Sequence, residues 1–215
     1  MTSSPSPSPD DADFDMYILA LTWAPRFCCT NEKQCKSEAM NHTNDLHPHG
    51  LWPAHSSTSN YPSYCGGNFD GKYLTPRQRH EYEKHGTCSH LSVSEYFKQE
   101  SLLQSKGNIL TIRDLLQRQA GNMIDLNKLL LFGGAKKFAV LTSKQCQLQE
   151  ITTCWEKRED NTVGEQIDCP PHILKGGRNT GSQFGCSKVF LDKADSTCSV
   201  ISNYLLEEMK KKSLG

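Results

Sequence analysis

Met16-Tyr17-Ile18-Leu19-Ala20-Leu21-Thr22-Trp23 is the stretch on which the fold turns. Apart from Thr22 it is apolar throughout, with no polar residue at alternate positions to face water. It is far short of the roughly 18–20 apolar residues that a membrane helix needs. Such a run reads as a strand buried on both faces, in the middle of a sheet. Pro25 is expected to end it. On its N-terminal side, Met1 to about Asp13 is Ser/Pro-rich and then acidic, the composition of a disordered, extended leader. On its C-terminal side, Cys28 to Asn44 reads as a polar loop pinned by cysteines. A further strand is expected to end in His47-Pro48-His49-Gly50-Leu51-Trp52-Pro53, and Ser56 to Tyr73 is loop.

Helices follow. Thr75 is placed as an N-cap, Pro76 at the first helical position, Gln78 completes a capping box and Gly86 stops the helix. Ser92-Val93-Ser94-Glu95 caps a second helix to about Ser105, with Val93, Tyr96, Phe97 and Leu103 as its apolar stripe. Thr111–Gln119 and Asn122–Phe132 read as two more. The pattern then turns to strands over Lys137–Thr142, Leu148–Cys154, Val163–Cys169 and Lys188–Leu191. A last helix is expected from about Ser196 to Lys212, its Lys210-Lys211-Lys212 a solvated end favoured by the helix dipole. Strand, helices and then consecutive strands, with no internal repeat, predict an α+β fold: a mainly antiparallel central sheet flanked by helices. The expected organisation is a leader over 1–13, one folded domain over 14–194 and a helical extension over 195–215.

The chain has 215 residues, enough for one domain with a real core, although only 36% are apolar. Ten cysteines make up the difference. A reducing cytosol would leave them as thiols, so a disulfide-stabilised protein from a secreted or vacuolar/lysosomal setting is expected. No zinc ladder of the CxxC kind is present to give them another use. Asn41-His42-Thr43 is a glycosylation sequon that agrees with this route. Met1 leads into Ser/Pro sequence with no apolar stretch, so a secretory signal is expected to have been removed. With 24 basic and 24 acidic residues, bulk charge does not mark a nucleic-acid binder. The eight histidines change that balance below about pH 6.

Two of the histidine-bearing segments carry chemistry. In His80-Glu81-Tyr82-Glu83-Lys84-His85-Gly86-Thr87-Cys88, Glu81 and His85 are four apart and share a helical face, as do His80 and Lys84. His80-Glu81 looks like the start of a zinc-protease helix, but that chemistry needs histidines four apart. Here they are five apart, about 140° around the helix, so no metal is expected there. In the other segment Gly50 allows close approach, and Trp52 offers a flat face beside His49. His47 alternates to the face of His49, while His42, His55, His90 and His172 read as surface residues.

Together the two segments resemble the active-site motifs of the ribonuclease T2 family, acid endoribonucleases of vacuoles, lysosomes, periplasm and secretions. The resemblance runs from Tyr17 to about Asp192 and includes Leu21-Thr22-Trp23-Ala24-Pro25 and the Cys-rich C-terminal strands. It implies a ribonuclease T2-like fold and metal-independent cleavage of single-stranded RNA, with no cofactor, favoured in acid. By the resemblance, His85 is the general base on the ribose 2′-hydroxyl and His49 the general acid on the leaving 5′-oxygen. Glu81 and Lys84 stabilise the phosphorane-like state, and His80 helps hold the phosphate. Trp52 is the base-stacking residue and Tyr61 a second wall. The products are 2′,3′-cyclic phosphates and then 3′-phosphates, DNA is no substrate, and a monomer without membrane contact is expected.

The family pattern also implies Cys65–Cys88, and makes Cys146–Cys186 and Cys154–Cys169 plausible pairs. Cys35 then pairs with Cys28 or Cys29, leaving the spare to reach Cys198. The chain departs from the pattern at Ala54, where many members place an acidic or amide residue against a base edge, so relaxed base preference is implied. Arg77-Gln78 replaces a Phe-Trp pair, and Tyr82 stands where many relatives have Trp; both read as packing changes. The competing reading is a secreted binding protein on a degenerate nuclease fold, which loss of a catalytic histidine would favour; both are retained.

Overall fold

The computed structural model describes residues 13–37, 40, 43–134, 136–174 and 185–194. The opening run forms β1 (Met16–Trp23), with β2 (Leu46–Ala54) antiparallel on one side and β5 (Leu148–Lys157) antiparallel on the other. Beyond β5 lies β4 (Phe138–Thr142), and β6 (Val163–Ile167) continues that edge on the far end of β5. Every pairing between these strands is antiparallel, β1 is interior and β2 is an edge. A separate two-stranded sheet joins β3 (Met123–Asp125) to β7 (Lys188–Phe190). This is the α+β class read from the sequence.

The burial of β1 on both faces follows its period of two. Tyr17, Leu19, Leu21 and Trp23 enter the main core. There they meet Tyr96 and Leu103 from α4 (Val93–Gln104), Ile109, Ile112 and Leu116 from α5 (Gly107–Gln119), and Leu129 from α6 (Leu126–Phe132). Met16 and Ile18 point to a second cluster with Ala54, Cys154 and Cys169. The helix signals act as written. Thr75 accepts from Gln78 N while Gln78 returns a bond to Thr75 N, opening α3 (Pro76–Lys84). Ser92 accepts from Glu95 N at the start of α4, which ends at Gln104.

Some boundaries differ. Pro25 does not only end β1; it sits in the first turn of α1 (Ala24–Thr30), where a missing N–H costs nothing. Of the loop expected from Cys28 to Asn44, the part up to Ser37 is instead the rest of α1 and the short α2 (Glu32–Ser37), tied by Cys28–Cys35. The third helix starts at Gly107, before Thr111, and the stretch before Leu126 is β3, with Asp125 capping α6 through Lys128 N. A short α7 (Pro171–Leu174) follows β6. The pairs Cys65–Cys88, Cys146–Cys186 and Cys154–Cys169 are formed. Cys29 is also in a disulfide. The expectations for the leader, Asn41, Cys198 and the final helix lie outside the described residues. No helix among the described residues is long and apolar enough to cross a membrane.

One core contact has a pH consequence. The Trp23 indole donates to the carbonyl of Asp192 at 2.9 Å, and the Asp192 side chain is buried with neither carboxylate oxygen hydrogen-bonded among the described residues. Burial pushes its pKa up to about 6 against the opposing charge of Arg26. The folded protein thus holds this proton more tightly than the unfolded chain does. The resulting stability is full below about pH 4 and is lost as pH rises through 6. We expect the Asp192 contribution to the unfolding free energy, taken as the difference between the protein and Asp192→Asn in urea, to be larger at pH 4.5 than at pH 7 by an amount on the order of 2 kcal/mol. It is set against the opposite pull of His85, whose lowered pKa costs stability in acid. A difference between the two proteins that does not change with pH would refute the assignment.

Candidate active site

The site is built on the edge strand β2, where the pairing with β1 slips. Ala20 lies opposite Gly50 and Leu21 opposite Pro48, so His49 is the extra residue of a β-bulge. A bulge re-aims the side chain it carries. The same happens across the sheet: Leu141 faces Glu150 and Thr142 faces Leu148, leaving Gln149 unpaired on β5. Between the two bulges, His49 Nδ1 lies 2.6 Å from a carboxylate oxygen of Glu150, and Nε2 lies 3.7 Å from Glu81.

Glu81 comes from α3, which packs beside β2. It is buried, and its second oxygen accepts from the Trp52 indole at 2.9 Å. Gly50 makes this possible, since a Cβ there would stand 2.2 Å from the Glu81 carboxylate and 2.5 Å from the Trp52 nitrogen. One helical turn on, His85 is buried at the C-cap of α3, with its ring 5.2 Å from that of Trp52 and 5.5 Å from that of Tyr61. Among the described residues its buried Nδ1 has no hydrogen-bond partner, an arrangement that native structures keep rarely and for a reason. Lys84 extends over the Tyr61 ring at 5.9 Å, and Cys65–Cys88 fastens the segment just beyond. His80 is exposed on α3 and lines the same cavity as His49 and Glu81.

The two central imidazoles have opposite proton affinities. Burial works against a charge on His49, but the hydrogen bond and charge of Glu150, with Glu81 behind them, outweigh it and raise its pKa. His85 has no such partner: burial, then the charges of Lys84, His49 and His80, depress its pKa to about 3. His49 is therefore biased toward imidazolium and His85 toward neutral imidazole, the division of roles an acid–base pair requires. His47 takes no part in this pair; it contacts the Thr43 hydroxyl at 3.1 Å.

An open groove of about 880 Å³ reaches His49, His80, Glu81, Arg77 and Glu150. Arg26 and Lys33 of the α1–α2 segment line it as well, so basic side chains share it with the carboxylates of Glu81 and Glu150. Trp52, Tyr61, Lys84 and His85 do not line it. The seven residues singled out in the two segments and at Tyr61 thus fall into two groups that meet at Glu81. Two further residues were not legible as site residues. Glu150 lies in neither motif; its only signal is a carboxylate inside a strand otherwise expected to be buried. Arg77, read as a packing change, donates to the His49 carbonyl at 2.9 Å and lies 3.4 Å from the buried carboxylate of Glu100. It ties α3 to the bulge.

Comparison with known proteins gives a consistent picture. The model of the ribonuclease T2 family matches residues 14–77. Ribonuclease DdI of Dictyostelium discoideum is 30% identical over 204 residues, covering 79% of this chain and 83% of that protein. A ribonuclease of Aeromonas hydrophila is 33% identical over 110 residues, covering 44% of this chain and 46% of its own length. Ribonuclease 1 of Arabidopsis thaliana is 31% identical over 130 residues, covering 49% and 56%. The chain spans about half the length of these last two relatives. Among solved structures, RNase NT in complex with 5′-AMP superposes with a TM-score of 0.61 at 20% identity, covering 84% of this chain and 98% of that one. Trichomaglin, described as an S-like ribonuclease, gives 0.56 at 21% identity, covering 86% and 100%.

Proposed function

The chain belongs to the ribonuclease T2 family, and from that premise we propose that it is an endoribonuclease acting on single-stranded RNA by metal-independent transphosphorylation. His85 takes the proton of the ribose 2′-hydroxyl, and the 2′-oxygen attacks phosphorus in line. The P–O5′ bond breaks as His49 gives its proton to the leaving oxygen. The products are a 2′,3′-cyclic phosphate and a 5′-hydroxyl. In the slower second step the roles reverse: His49 takes a proton from water, whose oxygen bonds to phosphorus, and the P–O2′ bond breaks as His85 returns its proton to the 2′-oxygen, leaving a 3′-phosphate. Glu81 and Lys84 stabilise the crowded phosphorus, His80 helps hold the phosphate, and Trp52 and Tyr61 offer faces to a base.

The observation that supports this reading best is the opposite protonation bias of two histidines on either side of Glu81. The free enzyme is active with His49 charged and His85 neutral. Activity should therefore rise as pH climbs past about 3, where His85 loses its proton, and fall when His49 deprotonates. Acid conditions lie inside that window, which agrees with a secreted or vacuolar/lysosomal setting.

The test uses single-stranded RNA in EDTA at pH 5, with products followed by mass spectrometry. We expect 2′,3′-cyclic phosphate termini first, and no cleavage of the same strand carrying 2′-O-methyl groups, because the nucleophile is then blocked. Tight binding of RNA without cleavage would instead favour a binding protein on a nuclease fold.

A further inference from the structure

We propose that Glu150 is the positioning residue of His49: its carboxylate accepts the Nδ1 proton and thereby turns Nε2 toward the groove in which the leaving oxygen must sit. The inference rests on the reading of His49 as the general acid and deepens it. Glu150 belongs to neither histidine motif and reaches the site from β5, across β1, more than a hundred positions along the chain from His49.

Three observations carry it. The contact is short, 2.6 Å from Nδ1 to the carboxylate, and the carboxylate side chain is nearly buried, 11% exposed, so water does little to weaken it. Both partners sit beside bulges, one on β2 and one on β5, so the sheet departs from regular pairing on both sides of this one contact. With Nδ1 occupied, Nε2 is the nitrogen left to meet substrate, and the groove reaches both residues. An imidazole whose one nitrogen is held by a carboxylate has a fixed tautomer and a fixed ring plane. A general acid needs both, because proton delivery is sensitive to small misplacement.

Other groups also face His49. Glu81 approaches Nε2 from α3, Arg77 donates to its carbonyl from the same helix, and Trp52 packs edge-on at 5.2 Å, while the charge of His49 itself bears on His85. Glu81 favours the charged ring, and burial and Arg77 oppose it. Glu150 is the only one of these within hydrogen-bond distance of a ring nitrogen. Removing its charge should therefore leave the balance to weaker influences and make His49 less basic.

Two variants separate orientation from charge. Glu150→Gln keeps an oxygen able to accept from Nδ1 but carries no charge. Glu150→Ala loses both. With Gln, we expect the alkaline limb of kcat/KM, and the His49 ring titration followed by 15N NMR, to move together to lower pH. With Ala, we expect in addition a fall in kcat of roughly 10- to 100-fold, the usual cost of losing a carboxylate that orients an imidazole, with KM changed less than about threefold. The NMR titration also reports a folded ring in a variant too slow to assay. An inactive wild type would overturn the proposed function itself. An active wild type whose His49 titrates unchanged in Glu150→Gln would overturn the role of Glu150 alone.

Discussion

Alanine at His49 or His85 is expected to lower kcat/KM for single-stranded RNA by roughly a thousandfold, within the 100- to 10,000-fold range of positioned acid–base groups. The two substitutions should differ in what survives. Without His49 the leaving oxygen departs unprotonated, so the alkaline limb of the pH–rate profile should disappear. Without His85 solvent must take the 2′-hydroxyl proton, and the rate should then rise with pH, as hydroxide replaces the missing base. The double variant should cost little more than the worse single one, because groups that act in one transition state are not additive. His85 is buried, so its removal also opens space among Trp52, Tyr61 and Glu81. Asn at this position is the control that fills part of that space and cannot act as a base. A purified variant that cleaves RNA within tenfold of wild type, with an unchanged urea midpoint, would sink the assignment.

The sequence carried the fold where local signals and long-range pairing agreed. β1 was legible because a strand buried on both faces has no polar alternation to hide it. α3 and α4 were legible because Thr75, Gln78 and Ser92 are caps whose bonds are local. Legibility failed where tertiary structure overrode composition. The polar, cysteine-bearing stretch from Cys28 looked like loop, yet it continues the helix that the buried Ala24 and Pro25 begin, and a disulfide closes two short helices. β3 was absorbed into a helix because three residues are too few for a period. It exists as a strand because β7, far along the chain, supplies its hydrogen bonds.

The site divides in the same way. Glu81, Lys84 and His85 share one helix, so their mutual placement follows from helical spacing. His49 and Glu150 are neighbours only because β1 separates their strands by two sheet spacings and both strands bulge toward the same place. A bulge has no reliable signature in a single strand, and a partner on another strand has none at all. On the proposed assignment, the acid thus depends on sheet register and the base on helix geometry. A change that shifts register should harm the first and spare the second.

Gly50→Ala is the smallest substitution that should do large damage. Gly50 lies outside the left-handed region of φ, so its backbone conformation suits alanine; what the site lacks is room. The new methyl group would overlap the Glu81 carboxylate and the Trp52 indole nitrogen, which are bonded to each other. Glu81 is buried and cannot swing into solvent, so either the indole bond breaks or α3 moves away from β2. Both outcomes carry Glu81 away from His49 and disturb the floor on which His85 packs. A displacement of about 1 Å in such a site is enough for a loss of activity near a hundredfold. The stability cost should be smaller, about 1–3 kcal/mol, as for other overpacked positions. Gly107→Ala is the matching control: it opens α5, and a Cβ there meets nothing within 4 Å. It should leave both rate and urea midpoint unchanged or raise the midpoint slightly. If Gly50→Ala retained wild-type kcat, close approach of strand and helix would not be what sets the Glu81 carboxylate, and the Trp52–Glu81 bond would have to be dispensable for the reaction.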